Sequence, residues 1–223
     1  MEERYCRNIP AISAEEQAIL GEKHVLVAGC GGLGGYLIEH LARLGVGRLT
    51  VVDGDVFEAS NLNRQMLSAP ALLGRGKAEA AKERVALINP GVAVTAVADY
   101  LDEENADRLL AGCDLALDAL DSAPARLLLA EACARQGVYL VHGAVQGWSV
   151  QASVVPPGSG LLHRLYADAQ PAKRKTVLPF TAAFCASVQA SEAVKCLCAR
   201  PSALENRLLL GDLQHMDWDI LTI

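Results

Sequence analysis

Gly29, Gly31 and Gly34 stand in G-x-G-x-x-G spacing within "GCGGLG", with Gly32 as the fourth glycine. Set between a strand-like and a helix-like segment, such glycines let the backbone turn sharply and approach a phosphate. The helix N-terminus behind them offers free N–H groups. The motif alone is shared by sites for NAD, FAD and ATP. Asp53 closes the next strand-like run, where an acid binds ribose hydroxyls or caps a turn. The same stretch continues through Asn61, Asn63 and Arg64, and Lys77 follows in "GRGK". A dinucleotide's pyrophosphate is usually neutralised by backbone groups and the helix dipole. A triphosphate and its departing pyrophosphate draw cationic side chains. Asn61, Arg64 and Lys77 therefore favour a nucleoside triphosphate over NAD, although each cation taken singly also reads as a solvated surface residue. Further on, "DALDSAPAR" holds Asp118 and Asp121. A carboxylate there suits Mg²⁺ bound by way of phosphates, while Asp121 with Ser122 also reads as a helix start.

These residues need a frame, and the hydrophobic pattern supplies one. "HVLVAG", "RLTVVD", "AVTAVADY", "DLALDAL" and "VYLVHGAV" are short, continuous apolar runs, as expected of strands buried on both faces. Helix-like segments alternate with them: "GGYLIEHLARLGVG", "GKAEAAKERVALINP", "EENADRLLAGC" and "APARLLLAEACARQG". The alternation predicts an α/β fold of Rossmann-like type with a doubly wound, mostly parallel sheet. Before it, Ser13 and Glu16 form the pattern of a capping box, opening a short helix. After residue 145 the rhythm changes. "WSVQASVVPPG" alternates as an antiparallel strand does, "LPFTAAFCASVQASEAVKCLCA" is a long, nearly uncharged helix, and "NRLLLGDL" and "DWDILTI" read as closing strands. Residues 166–178, with proline, charge and no period, read as a crossover loop. One domain over 1–223 is expected, with 1–22 as an N-terminal arm and helix.

Bulk properties fit this frame. The 223 residues are 52% hydrophobic but only 4% aromatic, so small aliphatic side chains must fill the core. A net charge of −6 disfavours a nucleic-acid partner. The seven cysteines are odd in number and scattered, which suits a reduced, cytoplasmic protein rather than a disulfide framework. The opening "MEERYCRNIP" is polar and the apolar runs are short, so neither a leader nor a membrane span is expected.

The pieces taken in order resemble the ThiF/MoeB/HesA family, within the superfamily of ubiquitin-activating enzymes. They are "RYCRN", "GCGGLG", "VVDGD", "SNLNRQ", "GKAEAA", "INP", "LDALDS" and "HGAVQG", with a weaker likeness in "SVQASEAVK". The resemblance implies binding of ATP with Mg²⁺ and adenylation of the C-terminal glycine of a small ubiquitin-like sulfur-carrier protein. It implies that Asp53 holds the ribose, that Asn61, Arg64 and Lys77 contact the phosphates, and that Asp121 serves the metal. It further implies a homodimer in which Arg7, rather than Arg4, reaches the partner's ATP.

The likeness also has gaps. Many relatives carry zinc on two C-x-x-C pairs. The first would fall at Leu162 and Leu165 and the second past Ile223, so no zinc is expected. The crossover stretch lacks the cysteine that some relatives use for a thioester or persulfide. Cys185 lies in an apolar helix, where a thiol is inert, so adenylation is the expected reaction and sulfur delivery falls to another protein. His142 and His163 are given no role, since nothing in the sequence supplies His142 with a partner. Two other enzymes remain open on these residues: a tRNA-modifying adenylating relative and an NAD-dependent oxidoreductase. So does a non-catalytic binding module.

Overall fold

The structure, a computed structural model, describes residues 2–167 and 176–223. A 3-10 turn over Glu3–Asn8 leads to α1 (Ala14–Glu22). There the Ser13 side chain accepts from the Glu16 amide, and the Glu16 carboxylate takes the Ser13 N–H. A reciprocal cap of this kind contributes about 1 kcal/mol.

The sheet begins with β1 (His24–Ala28), followed by α2 (Gly32–Leu44), β2 (Arg48–Val52), α3 (Lys77–Ile88) and β3 (Ala93–Val97). Then come α4 (Ala106–Leu110), β4 (Leu115–Asp118), α5 (Ala123–Gln136) and β5 (Tyr139–Gln146). The remainder is β6 (Ser149–Val155), α6 (Leu161–Tyr166), α7 (Pro179–Leu197), β7 (Leu208–Asp212) and β8 (Asp217–Leu221).

The eight strands lie in the order β3-β2-β1-β4-β5-β6-β7-β8. Pairing is parallel from β3 to β5 and antiparallel from β5 to β8. The chain winds outward through β1, β2 and β3, then returns to place β4 on the other side of β1. That reversal opens a crevice beyond the carboxyl ends of β1 and β4, where open α/β sheets bind ligands.

Two buried clusters explain the continuous apolar runs. Val25, Val27, Leu49, Val51, Leu115 and Leu117 face the layer holding α2, α3 and α7. Leu26, Ala28, Val52, Ala116 and Leu140 face α4, α5 and α6. Successive residues of one strand thus serve opposite cores.

One expectation shifts and one element is added. The helix over 103–113 shrinks to Ala106–Leu110, because the Asp102 carboxylate takes the Glu104 and Asn105 amides and Asn105 returns its side chain to the Asp102 amide. Those local bonds replace the first helical turn. The stretch "LLHRLY" forms α6, with Leu162 buried and Leu165 packed against the second cluster. Finally, most of the crossover loop expected over 166–178 lies outside the described residues. Its end, Val177, bridges to Gly147 in the β5–β6 turn. No described helix is long and apolar enough to cross a membrane.

Candidate functional site

The crevice at the switch point is a cleft of about 1180 Å³. Gly29, Gly31, Gly32, Asp53, Arg64, Lys77 and Asp121 all line it. The glycines divide into two kinds. Gly29 has φ +97° and a side chain there would meet the Ala119 carbonyl at 2.7 Å; one on Gly34 would strike the Gly29 carbonyl at 1.8 Å. These two are required by the turn and by the packing of α2 on β1 and β4. Gly31 and Gly32 meet nothing closer than 3.5 Å, and they form the N-terminus of α2 where it opens into the cleft.

Asp53 ties the loop after β1 to the loop after β2. Its Oδ2 accepts the Cys30 N–H at 2.7 Å and its Oδ1 the Asp55 N–H at 2.8 Å. Burial lifts its carboxyl above the ordinary range, against the opposing pull of those amides and of Lys77. Each carboxylate oxygen keeps a second acceptor position, which is what a ribose hydroxyl needs.

Lys77 is brought in by backbone pairing. Phe57 N–H bonds the Arg75 carbonyl and Lys77 N–H bonds the Asp55 carbonyl, so the loop after β2 is stapled to the start of α3. The Lys77 side chain is buried, and its Nζ donates to Asp55 Oδ2 at 2.9 Å. Asp55 also accepts the Tyr100 hydroxyl at 2.6 Å. The Lys77 bond and then the Tyr100 bond hold the Asp55 carboxyl below the usual carboxylate range.

Asn61 is placed otherwise than expected. It is 7% exposed and is not among the residues lining the cleft. Its Oδ1 accepts the Glu58 N–H, closing a 3-10 turn over Ala59–Asn61, and its carbonyl takes the Arg64 and Gln65 amides. It builds the turn from which Asn63 and Arg64 project. Arg64 Nη1 donates to the Ser60 carbonyl at 2.7 Å and to Asn63 Oδ1 at 3.1 Å. Asn63 in turn donates to the Val177 carbonyl at 3.3 Å.

Asp121 is exposed on the loop between β4 and α5, with Ser122 capping α5 through the Ala125 amide. Asp118, three residues earlier, is sealed from solvent. It accepts His142 Nδ1–H at 2.6 Å and the Leu120 N–H at 2.9 Å, and Arg126 Nε lies 3.6 Å away. This corrects two readings: Asp118 is occupied inside the protein and does not face a metal, and His142 has a carboxylate partner after all.

The donor set suits magnesium. Asp121 is one of the carboxylates lining the cleft, with Asp53, Asp55 and Asp99, and no group of three or more His, Cys, Asp or Glu side chains among the described residues could hold a metal by itself. Mg²⁺ is commonly bound by one or two carboxylates together with substrate phosphates.

Arg7 lies elsewhere. It is exposed on the Glu3–Asn8 turn, whose Arg4 and Tyr5 bond Asn89 at the end of α3, and it is not among the residues lining its own chain's cleft. Cys185 is fully buried, its Sγ directed at the Gln151 and Ala144 carbonyls, and burial pushes its thiol up to about 12. Sequence reasoning did not single out Asp55, Tyr100, Arg126 or Gln151 on the cleft wall. Asp55, standing in "VVDGD", and Arg126, closing "DALDSAPAR", left a local trace.

A glycine turn at the switch point of a doubly wound sheet defines a Rossmann-like α/β fold. Solved structures agree: MccB of E. coli superimposes with a TM-score of 0.87 at 18% identity, covering 98% of this chain and 69% of that one. PaaA gives 0.80 at 19%, covering 93% and 66%. Sequence comparison goes further. Residues 5–223 match the ThiF family. SAMP-activating enzyme E1 of Haloferax volcanii is 38% identical over 228 residues, 97% of this chain and 83% of that protein. Probable adenylyltransferase/sulfurtransferase MoeZ of Mycobacterium tuberculosis is 35% identical over 233 residues, 99% of this chain but 59% of the relative, so the chain spans little more than half of it. The vegetative HesA protein of Trichormus variabilis is 34% identical over 219 residues, 96% of this chain and 83% of its own length. The chain belongs to the ThiF family and is an enzyme of its adenylyltransferase type.

Proposed function

We propose that residues 1–223 act as one cytoplasmic adenylation domain. It would use ATP to activate the C-terminal glycine carboxylate of a small ubiquitin-like sulfur carrier ending in Gly-Gly, of the kind serving thiamine or molybdenum-cofactor synthesis. The observation that carries this reading is that Arg64 and Lys77 share one cleft wall with the glycine turn and Asp53. The relatives named as an activating E1 and as an adenylyltransferase support it.

In this reading the α2 N-terminus and Gly31–Gly32 receive the nucleotide phosphates, and Asp53 accepts the ribose hydroxyls. Asn61 acts through the turn that presents Arg64. The carrier's carboxylate attacks the α-phosphorus in line and pyrophosphate leaves, with the acyl-adenylate as product. No side chain of this protein becomes a covalent nucleophile. Arg64 and Lys77 hold the departing pyrophosphate, work done by position and charge. Mg²⁺, held through Asp121 and the phosphates, supplies charge neutralisation when bound. The protein acts as a homodimer in which Arg7 serves the partner's ATP.

The test is exchange of labelled pyrophosphate into ATP with a glycine-tailed carrier present. The parent exchanges. Arg64→Ala and Asp121→Ala lose exchange while keeping the parent's circular dichroism. If both variants exchange at the parent rate, the site assignment fails.

A further inference from the structure

Arg126 lines the cleft but has no place among the phosphate and ribose contacts just described. It stands near the start of α5 with its side chain 12% exposed. Its Nη2 donates to the Leu120 carbonyl at 2.8 Å and its Nη1 to the Tyr166 hydroxyl at 2.6 Å. Its Nε is buried without a hydrogen bond, 3.6 Å from Asp118 Oδ2. Asp118 takes the Leu120 N–H. Both backbone polar groups of Leu120 are therefore held by side chains, the buried Asp118 and the largely buried Arg126, and the next residue is Asp121.

The other end of the network is equally engaged. Asp118 accepts His142 Nδ1–H at 2.6 Å, which leaves His142 Nε2 as an acceptor for the Tyr166 hydroxyl at 3.2 Å. That hydroxyl accepts from Arg126 and from Gln151 Nε2 at 2.8 Å. Two bonds accepted and one donated use its whole capacity. The Arg126 guanidinium also sits 5.4 Å from the centre of the Tyr166 ring. Apart from the Arg126 Nε, which meets Asp118 only as a charge at 3.6 Å, the network's groups are paired, and such pairing rigidifies what it holds.

We propose that Arg126 and Tyr166 are positioning residues for Asp121. Linked through Asp118 and His142, they fix Leu120 and so the direction from which the Asp121 carboxylate meets a divalent cation carried on a nucleoside triphosphate. The proposal deepens the adenylation reading and rests on it. Groups that orient a metal-binding side chain commonly account for about ten- to a hundredfold in metal affinity.

The test is calorimetric titration of ATP into the full chain, with Mg²⁺ and in EDTA, for the parent, Tyr166→Phe and Arg126→Lys. Tyr166→Phe keeps the ring and removes only the hydroxyl; Arg126→Lys keeps the charge and loses the fork. The affinity in EDTA stays at the parent value in both variants, while the gain on adding Mg²⁺ falls about tenfold. An undiminished Mg²⁺ gain overturns the proposal. So does an affinity in EDTA that drops as far as the affinity with metal, which marks a deformed cleft rather than a misdirected carboxylate. If Arg126→Lys does not fold, Tyr166→Phe decides on the same criteria. A parent chain that binds no ATP, or binds it without regard to Mg²⁺, removes the adenylation reading and this step together.

Discussion

Lys77 Nζ lies 2.9 Å from Asp55 Oδ2, with the lysine side chain 7% exposed and the carboxylate 50% exposed. The pairing is unequal: a buried ammonium is balanced by an acid at the cleft's edge. A buried charge that loses its partner costs more than the pair contributes, though the exposed carboxylate limits the effect. Asp55→Asn is expected to lower the stability of the nucleotide-free protein by about 1–2 kcal/mol. ATP then raises its melting temperature by more than it raises the parent's, because phosphate oxygens replace the lost partner. Thermal melts with and without ATP measure this, and equal increments would show that Lys77 does not meet the phosphates.

Asn61 separates two roles that a sequence motif merges. Its side chain closes a turn through the Glu58 amide. Asn61→Ala is therefore expected to weaken ATP binding and to lower stability by about 1 kcal/mol, as loss of a cap does. Asn63→Ala leaves stability unchanged. Urea denaturation of the two variants distinguishes them, and a fully stable Asn61→Ala chain would return Asn61 to direct phosphate contact.

How much of this was legible depended on range. Strands β1, β2, β4 and β5 announced themselves because burial on both faces forces continuous apolar runs. Gly29 and Gly34 were legible because a turn this tight excludes a side chain. The six residues of α6 carry too little periodicity to declare a helix. The Asp118–His142–Tyr166–Arg126 network joins residues far apart in sequence, brought together by the β4–β5 pairing and the packing of α5 with α6. Periodicity cannot report such contacts. It placed Asp118 at the end of a strand and could not say that His142 would fill the space beside it.

The thiols give a test of the core. Burial pushes Cys133 and Cys185 up to about 12 and Cys113 up to about 11, whereas Cys6 is exposed. A thiol reacts as its thiolate. Iodoacetamide at neutral pH is expected to label Cys6 first and to leave Cys113, Cys133 and Cys185 untouched until the chain unfolds. Mass mapping of the labelled peptides reads the order. Early labelling of Cys185 would contradict its enclosure beneath β5 and β6.

His142 gives a pH dependence with a definite sign. Its burial lowers its proton affinity below the ordinary histidine value of about 6.5, more than the Asp118 bond restores it. Below that value the unfolded chain takes up a proton that the folded chain refuses. The stability contribution is thus intact above about pH 6.5 and is lost as pH falls toward the depressed folded value, by at most about 1.4 kcal/mol per pH unit. Burial lowers His24 and His40 as well, so the comparison must be with His142→Gln. The stability difference between parent and variant shrinks between pH 7.5 and pH 5.5 in urea titrations. A constant difference would mean that His142 binds its proton equally well in the folded and unfolded chain, and a difference that grows toward pH 5.5 would mean that it is protonated in the fold.

Arg7 sits on the Glu3–Asn8 turn near the C-terminal ends of α2 and α3, where Tyr5 packs on Gly45 and bonds Asn89. From there its target under the proposed function is the cleft of a second chain. Arg7→Ala and Lys77→Ala should each abolish pyrophosphate exchange alone. In a mixed dimer, the site with intact Lys77 receives intact Arg7 from its partner, while the other site lacks both. Random pairing makes half the dimers mixed, each with one competent site, so co-expression should restore about a quarter of the parent's activity. Exchange that stays at zero after the two chains have verifiably co-assembled would mean that Arg7 acts within its own chain, and an Arg7→Ala chain that exchanges at the parent rate by itself would mean that Arg7 takes no part.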